Sequence, residues 1–174
     1  SSTDSTVVSA TATGSATDGS HVVTVRSLAK AHSIASAEFS GEAEAQLAGA
    51  YSFHIEQAGV SHAVTVTIAE GATYAETLRA VASAINNSAG AQVTATVAAT
   101  DGRTGLQRLL LTSKVTGTQA LISAVRDDSG ELARALGFGG DSDAKGGYGA
   151  STVQEAADAE FTIDGLAFVS ASNR

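Results

Sequence analysis

Along most of this chain apolar and polar residues alternate with a period of two, and only twice does the spacing change to that of a helix. Residues 7–13, VVSATAT, alternate and are rich in β-branched types, as a half-buried strand requires. A loop with Gly14 and Gly19 separates them from HVVTVRSLA, where Val23 and Val25 share one face while Val22, Thr24 and Arg26 share the other. The two stretches read as a hairpin. KAHSIASAEFSGEAEAQLAG has no clean period and reads as an extended connection. In YSFHIEQ, Tyr51, Phe53 and Ile55 face one way, and Ser52, His54 and Glu56 the other. Ala58-Gly59 turns the chain, and SHAVTVTIA returns with Val64, Val66 and Ile68 on one face, completing a second hairpin.

Thr73 and Glu76 then fit a capping box. Tyr74, Leu78, Val81, Ala82 and Ile85 follow at helical spacing, and Asn86-Asn87-Ser88 with Gly90 predicts a left-handed stop. QVTATVAAT and LQRLLLTSK read as strands about an Asp101-Gly102 turn, with Leu109 and Leu111 on one face of the second. GTQALISAVRDD holds a further strand. SGELARALGF is a short helix stopped by Gly137. Residues 137–149, with six glycines, read as a loop or linker, and TVQEAADAE as a helical turn. The chain closes on AEFTIDGLAFVSASNR, two strands about an Asp164-Gly165 turn.

Local strand pairs and few helices give an α+β fold, predominantly antiparallel β. A two-stranded ribbon is marginal by itself in water. The first and last hairpins lack partners of their own, so the two ends of the chain are expected to pair with each other. Two small β-rich domains follow, one inserted in the other: a discontinuous base from residues 1–39 plus 151–174, and an inserted domain over residues 40–150.

Composition narrows this picture. The chain has 174 residues, of which 43% are hydrophobic and only 5% aromatic. At this length folding buries roughly 70% of the extended-chain surface. The core must therefore be built mostly from Val, Leu, Ile and Ala. A formal charge of −8, from 18 acidic and 10 basic residues, argues against nucleic acid, which needs clustered Lys and Arg. It argues equally against anionic membrane surfaces. No apolar run is long enough to span a bilayer, so no membrane insertion is expected. The absence of cysteine excludes disulfides and thiolate metal sites.

Candidate chemistry is sparse. His54 and His62 flank the Ala58-Gly59 turn, but their parities place them on opposite faces, and no third ligand stands at metal-site spacing. Asp141 and Asp143 suggest a calcium loop, yet lack the further oxygens such a loop supplies. Asp127, Asp128 and Glu131 read as a helix start, with Asp128 as the cap, rather than an acid–base cluster. Ser113-Lys114, and Ser27 with Lys30, lack the companion elements of a Ser-Lys hydrolase. No catalytic residue, no cofactor and no metal site is therefore expected.

The longer stretches carry a resemblance. VVSATATGSATDGSHVVTVRSLAKAH, through Ser9 to Thr13, Gly19 and Val23 to Ala29, resembles a segment of bacterial flagellar filament cap proteins, also called hook-associated protein 2. Residues 51–117 resemble the flagellin IN motif, marked by Ile85-Asn86-Asn87, Gly90, Thr94-Ala95, Leu111-Thr112-Ser113 and Gly117. AADAEFTIDGLAFVSASN is similar to the cap protein's entry into its C-terminal region, with Ser172-Asn173 standing in mid-motif, so the chain is expected to be an internal fragment. The resemblance implies a structural protein at the extracellular tip of the flagellum, exported by the flagellar secretion apparatus. In the full-length family protein, coiled-coil-like helical flanks would support a self-assembled ring. The implied partners are further copies of itself, flagellin and other hook-associated proteins; the fragment alone could be a monomer or an oligomer. A surface adhesion module binding host mucin or glycan through the inserted domain is the alternative.

Overall fold

A computed structural model describes residues 19–100, 105–127, 129, 131–138 and 151–174, together with 2, 4–6, 9, 11 and 14. In chain order the elements are β1 Val23–Ser27, β2 Ala31–Ala35, β3 Phe39–Ser40, β4 Gly49–Gln57, β5 Val60–Ile68, α1 Tyr74–Asn87, β6 Val93–Ala99, β7 Leu106–Thr116, a 3-10 turn at Thr118–Ala120, β8 Ile122–Asp127, α2 Glu131–Ala135, β9 Ser151–Gln154, β10 Ala159–Ile163 and β11 Leu166–Ser170. Residues 7, 8, 10, 12 and 13 of the strand expected at 7–13, the Asp101-Gly102 turn, Asp128, Asp141 and Asp143 lie outside the described residues.

Three antiparallel sheets result, and the fold is α+β. The first is β1-β10-β11. The second is β3-β7-β2-β9, with β6 on the other edge of β7. The third is β5-β4-β8.

The second and third sheets share one hydrophobic core. Phe53 and Ile55 of β4, Val64, Val66 and Ile68 of β5, Val93 of β6, Leu109 and Leu111 of β7, and Ile122 and Val125 of β8 all bury into it. Alternation places them there: every second residue of a strand faces the same way. Leu78, Val81, Ala82 and Ile85 lay the apolar stripe of α1 onto this core, while Leu132 and Ala133 of α2 enter from another element. The α1 start is a true capping box: Glu76 N–H donates to Thr73 Oγ1 at 3.3 Å, and Thr73 N–H donates to Glu76 Oε2 at 2.9 Å. Those bonds from Thr73 hold the Glu76 carboxyl below the usual carboxylate range.

Several expectations are corrected. The stretch read as a featureless connection contains β2 and β3. β2 sits between β7 and β9, and His32 to Ala35 are buried on both faces, so no polar face exists to reveal a period. The stretch read as a helical turn contains β9, which pairs with β2. The α1 stop is not a left-handed cap, because Ser88 is extended (φ −70°, ψ 124°). Asn86 is engaged instead by β6: its Nδ2 donates to Ala95 O at 2.8 Å and its Oδ1 accepts from Ala95 N–H at 2.9 Å. Phe138, read as part of the loop at 137–149, is 2% exposed and among the largest core side chains. The pairing of β2 with β7 runs across the division expected at 39/40, whereas that of β9 with β2 joins two strands of the expected base.

Candidate functional site

The first sheet differs from the other two in what it leaves uncovered. In β10–β11, Asp164 (φ 50°) and Gly165 (φ 85°) form the turn, the primed geometry that matches strand twist. Phe161 then faces Phe168, and Ile163 faces Leu166. The two phenyl rings stack with centroids 5.6 Å apart. On the other side of β10, Val23 of β1 pairs with Ile163 and Val25 with Phe161. Directly paired residues share a face, so six apolar side chains line one side of this sheet. Val23, Val25, Leu166 and Phe168 are 40%, 37%, 68% and 43% exposed. Apolar groups clustered in the open in this way differ from the singly scattered ones of an ordinary solvated face.

Polar contacts fix the ends of this sheet. The Asp164 carboxylate accepts Val22 N–H at 2.9 Å and lies 2.6 Å from His21 Nδ1. The His21 bond first, and the Val22 bond second, hold the Asp164 carboxyl below its ordinary range.

At the opposite end, a joint binds the terminal sheet to the second sheet. Asn173 Oδ1 accepts Ala29 N–H at 2.7 Å, and Asn173 Nδ2 donates to Ala29 O at 3.0 Å. Asp158 accepts both Thr118 N–H and Thr118 Oγ1–H, at 2.8 and 2.9 Å. Thr116 Oγ1 donates to Ala171 O at 2.8 Å, and Lys30 N–H donates to Ala157 O at 2.7 Å. Gly117 sits in the middle with φ +95° and its N–H on Lys30 O at 3.1 Å. A Cβ there would lie 2.7 Å from both Ala171 Cβ and Ala171 O. Asn86 with Ala95, and Asn173 with Ala29, are the same device: one side-chain amide satisfies both backbone groups of a single residue.

The structure separates the residues that the sequence offered for chemistry. Ile55 pairs with His62 and His54 with Ala63, so the two histidines stand on opposite faces of the β4–β5 hairpin. Ser113 Oγ donates to Val115 O at 2.7 Å and accepts from buried Gln57, whereas Lys114 Nζ donates to Ala91 O at 3.1 Å. Lys30 contributes its backbone to the joint, and Ser27 ends β1. Asp127 Oδ2 accepts Ala133 N–H at 2.6 Å, and Ser129 Oγ accepts Glu131 N–H at 3.4 Å, so these two side chains hold the start of α2. Among the described residues there is no cluster of three or more potential metal-ligating side chains, and no helix long and apolar enough to cross a membrane.

The sequence reading missed the joint. Gly117 and Asn173 stood out only as family marks, and no local pattern links residues so far apart along the chain.

The fold is that of solved flagellar cap proteins. It matches the D1-D2-D3 domains of the flagellar cap protein FliD from Escherichia coli with a TM-score of 0.74 at 24% identity, over 97% of this chain and 45% of that one. The chain thus spans less than half the length of that structure. It matches the D2-D3 domains of the Escherichia coli protein with a TM-score of 0.71 at 26% identity, over 97% and 82% of the two chains. Against FliD from Pseudomonas aeruginosa PAO1 the TM-score is 0.63 at 30% identity, over 93% and 70%. No protein-family model matches the sequence, and no curated protein does. A shared fold, together with 30% identity over nearly the whole of this chain, means that it belongs to the bacterial flagellar filament cap protein family.

Proposed function

We propose that this chain is the plate, or head, region of a filament cap that promotes flagellin folding and assembly at the filament tip. The observation that carries the reading is the six-residue apolar face of the β1-β10-β11 sheet, presented on a ladder that joins the two ends of the chain. A module held rigidly at both ends, with one apolar face open, suits a part that docks into a larger body. Its role is structural and no bond chemistry is assigned to it. We further propose two domains: a base built on β1, β10 and β11, and an inserted unit holding the second and third sheets. The division then falls within residues 29–30 and 157–158, where the joint lies, rather than at 39/40 and 150/151. Partners under this reading are further copies of the full-length protein in a ring, flagellin, and the neighbouring hook-associated proteins. The working location is the extracellular tip of the flagellum, reached through the flagellar export apparatus.

The test is complementation of a strain lacking its own cap gene with full-length protein carrying Leu166→Asp and Phe168→Asp. Filaments should shorten and unpolymerised flagellin should accumulate in the medium, while circular dichroism of the isolated variant chain stays unchanged. Normal filaments would refute the docking role of this face. Saturable mucin or glycan binding by the wild-type chain, with normal filaments from the variant, would favour adhesion instead.

A further inference from the structure

The two edges of the terminal sheet differ from each other. β1 forms one, and its register shifts between Val25 and Ser27, with charged Arg26 at the irregularity. Bulges and charges are how native edges avoid pairing with other chains. Edges elsewhere in the molecule are covered: the Asn86 side chain takes the free N–H and C=O of Ala95 on β6, and Ser88 Oγ donates to Ala63 O on β5 at 3.2 Å. β11 has no such protection. It pairs with β10 without a shift over Leu166–Ser170, and these five residues carry no charge. Val169, on the face opposite Phe168, is 68% exposed.

The turn decides which backbone groups this edge leaves open. A two-residue turn bonds the residues that flank it, here Ile163 and Leu166. Bonded and non-bonded pairs alternate along an antiparallel ladder, so the N–H and C=O of Ala167 and Val169 point away from β10. The Asp164 N–H, which donates to Val22 O at 2.9 Å on the β1 side, obeys the same alternation. Among the described residues, none bonds to the outward groups of Ala167 and Val169.

We propose that the β11 edge pairs with β11 of a second copy of this chain, antiparallel about a twofold axis at Phe168. The strand is its own complement in that register. Ala167 lies opposite Val169 of the second copy and exchanges both backbone bonds with it, so every outward group of the two residues is used. Phe168 faces Phe168 of the second copy in the closer, non-hydrogen-bonded pair, which extends the Phe161–Phe168 stack across the axis. Leu166 lies opposite Ser170, and Asp164 just beyond falls opposite Ser172, so no charge meets its like although each chain carries −8. A shift of two residues either way would bring Gly165 of the turn, or Ala171 past the strand end, into the ladder. The contact closes on two chains. It concerns the edge of the sheet and not its docking face, so it stands or falls separately from the docking role.

So short an edge makes an interface below the roughly 1,200 Å² of stable complexes, and the pair should be weak, with a Kd of about 0.1–1 mM. Sedimentation equilibrium from about 10 μM to about 1 mM should therefore show monomer and dimer exchanging. In a mixture of ¹³C-labelled and unlabelled chain, isotope-filtered NMR should give a contact between Phe168 Hα of one copy and Phe168 Hα of the other. Val169→Pro removes an outward N–H but no bond of the β10 ladder, a placement that edge strands tolerate. It should weaken association at least about tenfold, with amide protection along β10–β11 retained. Val169→Lys keeps the N–H, sets like charges either side of the axis and should weaken association severalfold. A chain that stays monomeric to about 1 mM, a dimer without the Phe168 contact, or an unchanged affinity in Val169→Lys would each overturn the proposal.

Discussion

Gly117→Ala tests the joint that fastens the terminal sheet to the body. Gly117 has φ +95°, where a Cβ is strained, at roughly 1–2 kcal/mol per residue. The added methyl would also lie 2.7 Å from Ala171 Cβ and O and 2.8 Å from Asp158 Oδ1. Two of those three atoms cannot retreat without moving the backbone of Ala171, and the third is held by Thr118. Overpacking of this kind costs about 1–3 kcal/mol. The sum is about 2–5 kcal/mol. At about 2–4 °C per kcal/mol for a chain of this size, Tm should fall by about 4–20 °C. Gly59→Ala is the control. Gly59 has φ +75° but nothing within 4 Å of a built Cβ, so it carries the backbone cost without the collision. Urea denaturation of both variants isolates the packing contribution as their difference. If the two lose stability to within about 0.5 kcal/mol of each other, below the overpacking range, the tight joint described here is wrong.

Four further outcomes follow from the same geometry. Asn86→Ala removes both bonds to Ala95 and should cost about 1–3 kcal/mol in urea denaturation; a neutral result would mean the amide bridge between α1 and β6 contributes nothing. Thr77 is fully buried with an unpartnered hydroxyl, so Thr77→Val should stabilise the chain by about 1 kcal/mol, and a loss of stability would contradict that placement. Ala58 occupies the left-handed region at φ 53° in an exposed turn, so Ala58→Asn should raise stability by several tenths of a kcal/mol, and a fall would argue against the turn. His32 is 3% exposed with Nδ1 accepting Ile122 N–H, and burial lowers its pKa against a smaller opposing effect of Glu155. Its neutral form is thus favoured in the folded state, so stability is full above the unfolded pKa and declines as pH falls below about 6.5, by at most about 1.4 kcal/mol per pH unit. His32→Asn should flatten that decline in urea midpoints measured at pH 7.5 and 5; an unchanged slope would remove His32 from the account.

What the sequence revealed was whatever a local pattern can encode. The β4–β5 and β10–β11 hairpins and α1 are each complete within one stretch, with turn, cap and apolar face adjacent in sequence. β2 was hidden because burial on both faces erases alternation. β9 was hidden for the opposite reason: its four residues are all exposed, and only pairing with β2 makes them a strand. Phe138 was lost among glycines, although an aromatic in a chain with so few is itself a core signal. Asn86 was read as a helix stop because Asn tolerates left-handed backbone, while its actual partner, Ala95, lies beyond the turn. The apolar face of the terminal sheet was legible as alternating Val23 and Val25, Phe161 and Ile163, and Leu166 and Phe168. That it would lie open was not, because exposure depends on what the rest of the fold covers.

The pairing of the two chain ends into one sheet underlies the fold, the open apolar face and the proposed docking role alike. Cross-strand proton contacts measured by NMR test it most directly. Contacts should run in antiparallel register between Val23–Val25 of β1 and Phe161–Ile163 of β10, pairing Val23 with Ile163 and Val25 with Phe161, with slowed amide exchange along the same ladder. A spectrum in which β10 contacts β11 alone, with β1 amides exchanging at the rate of an open chain, would contradict the account.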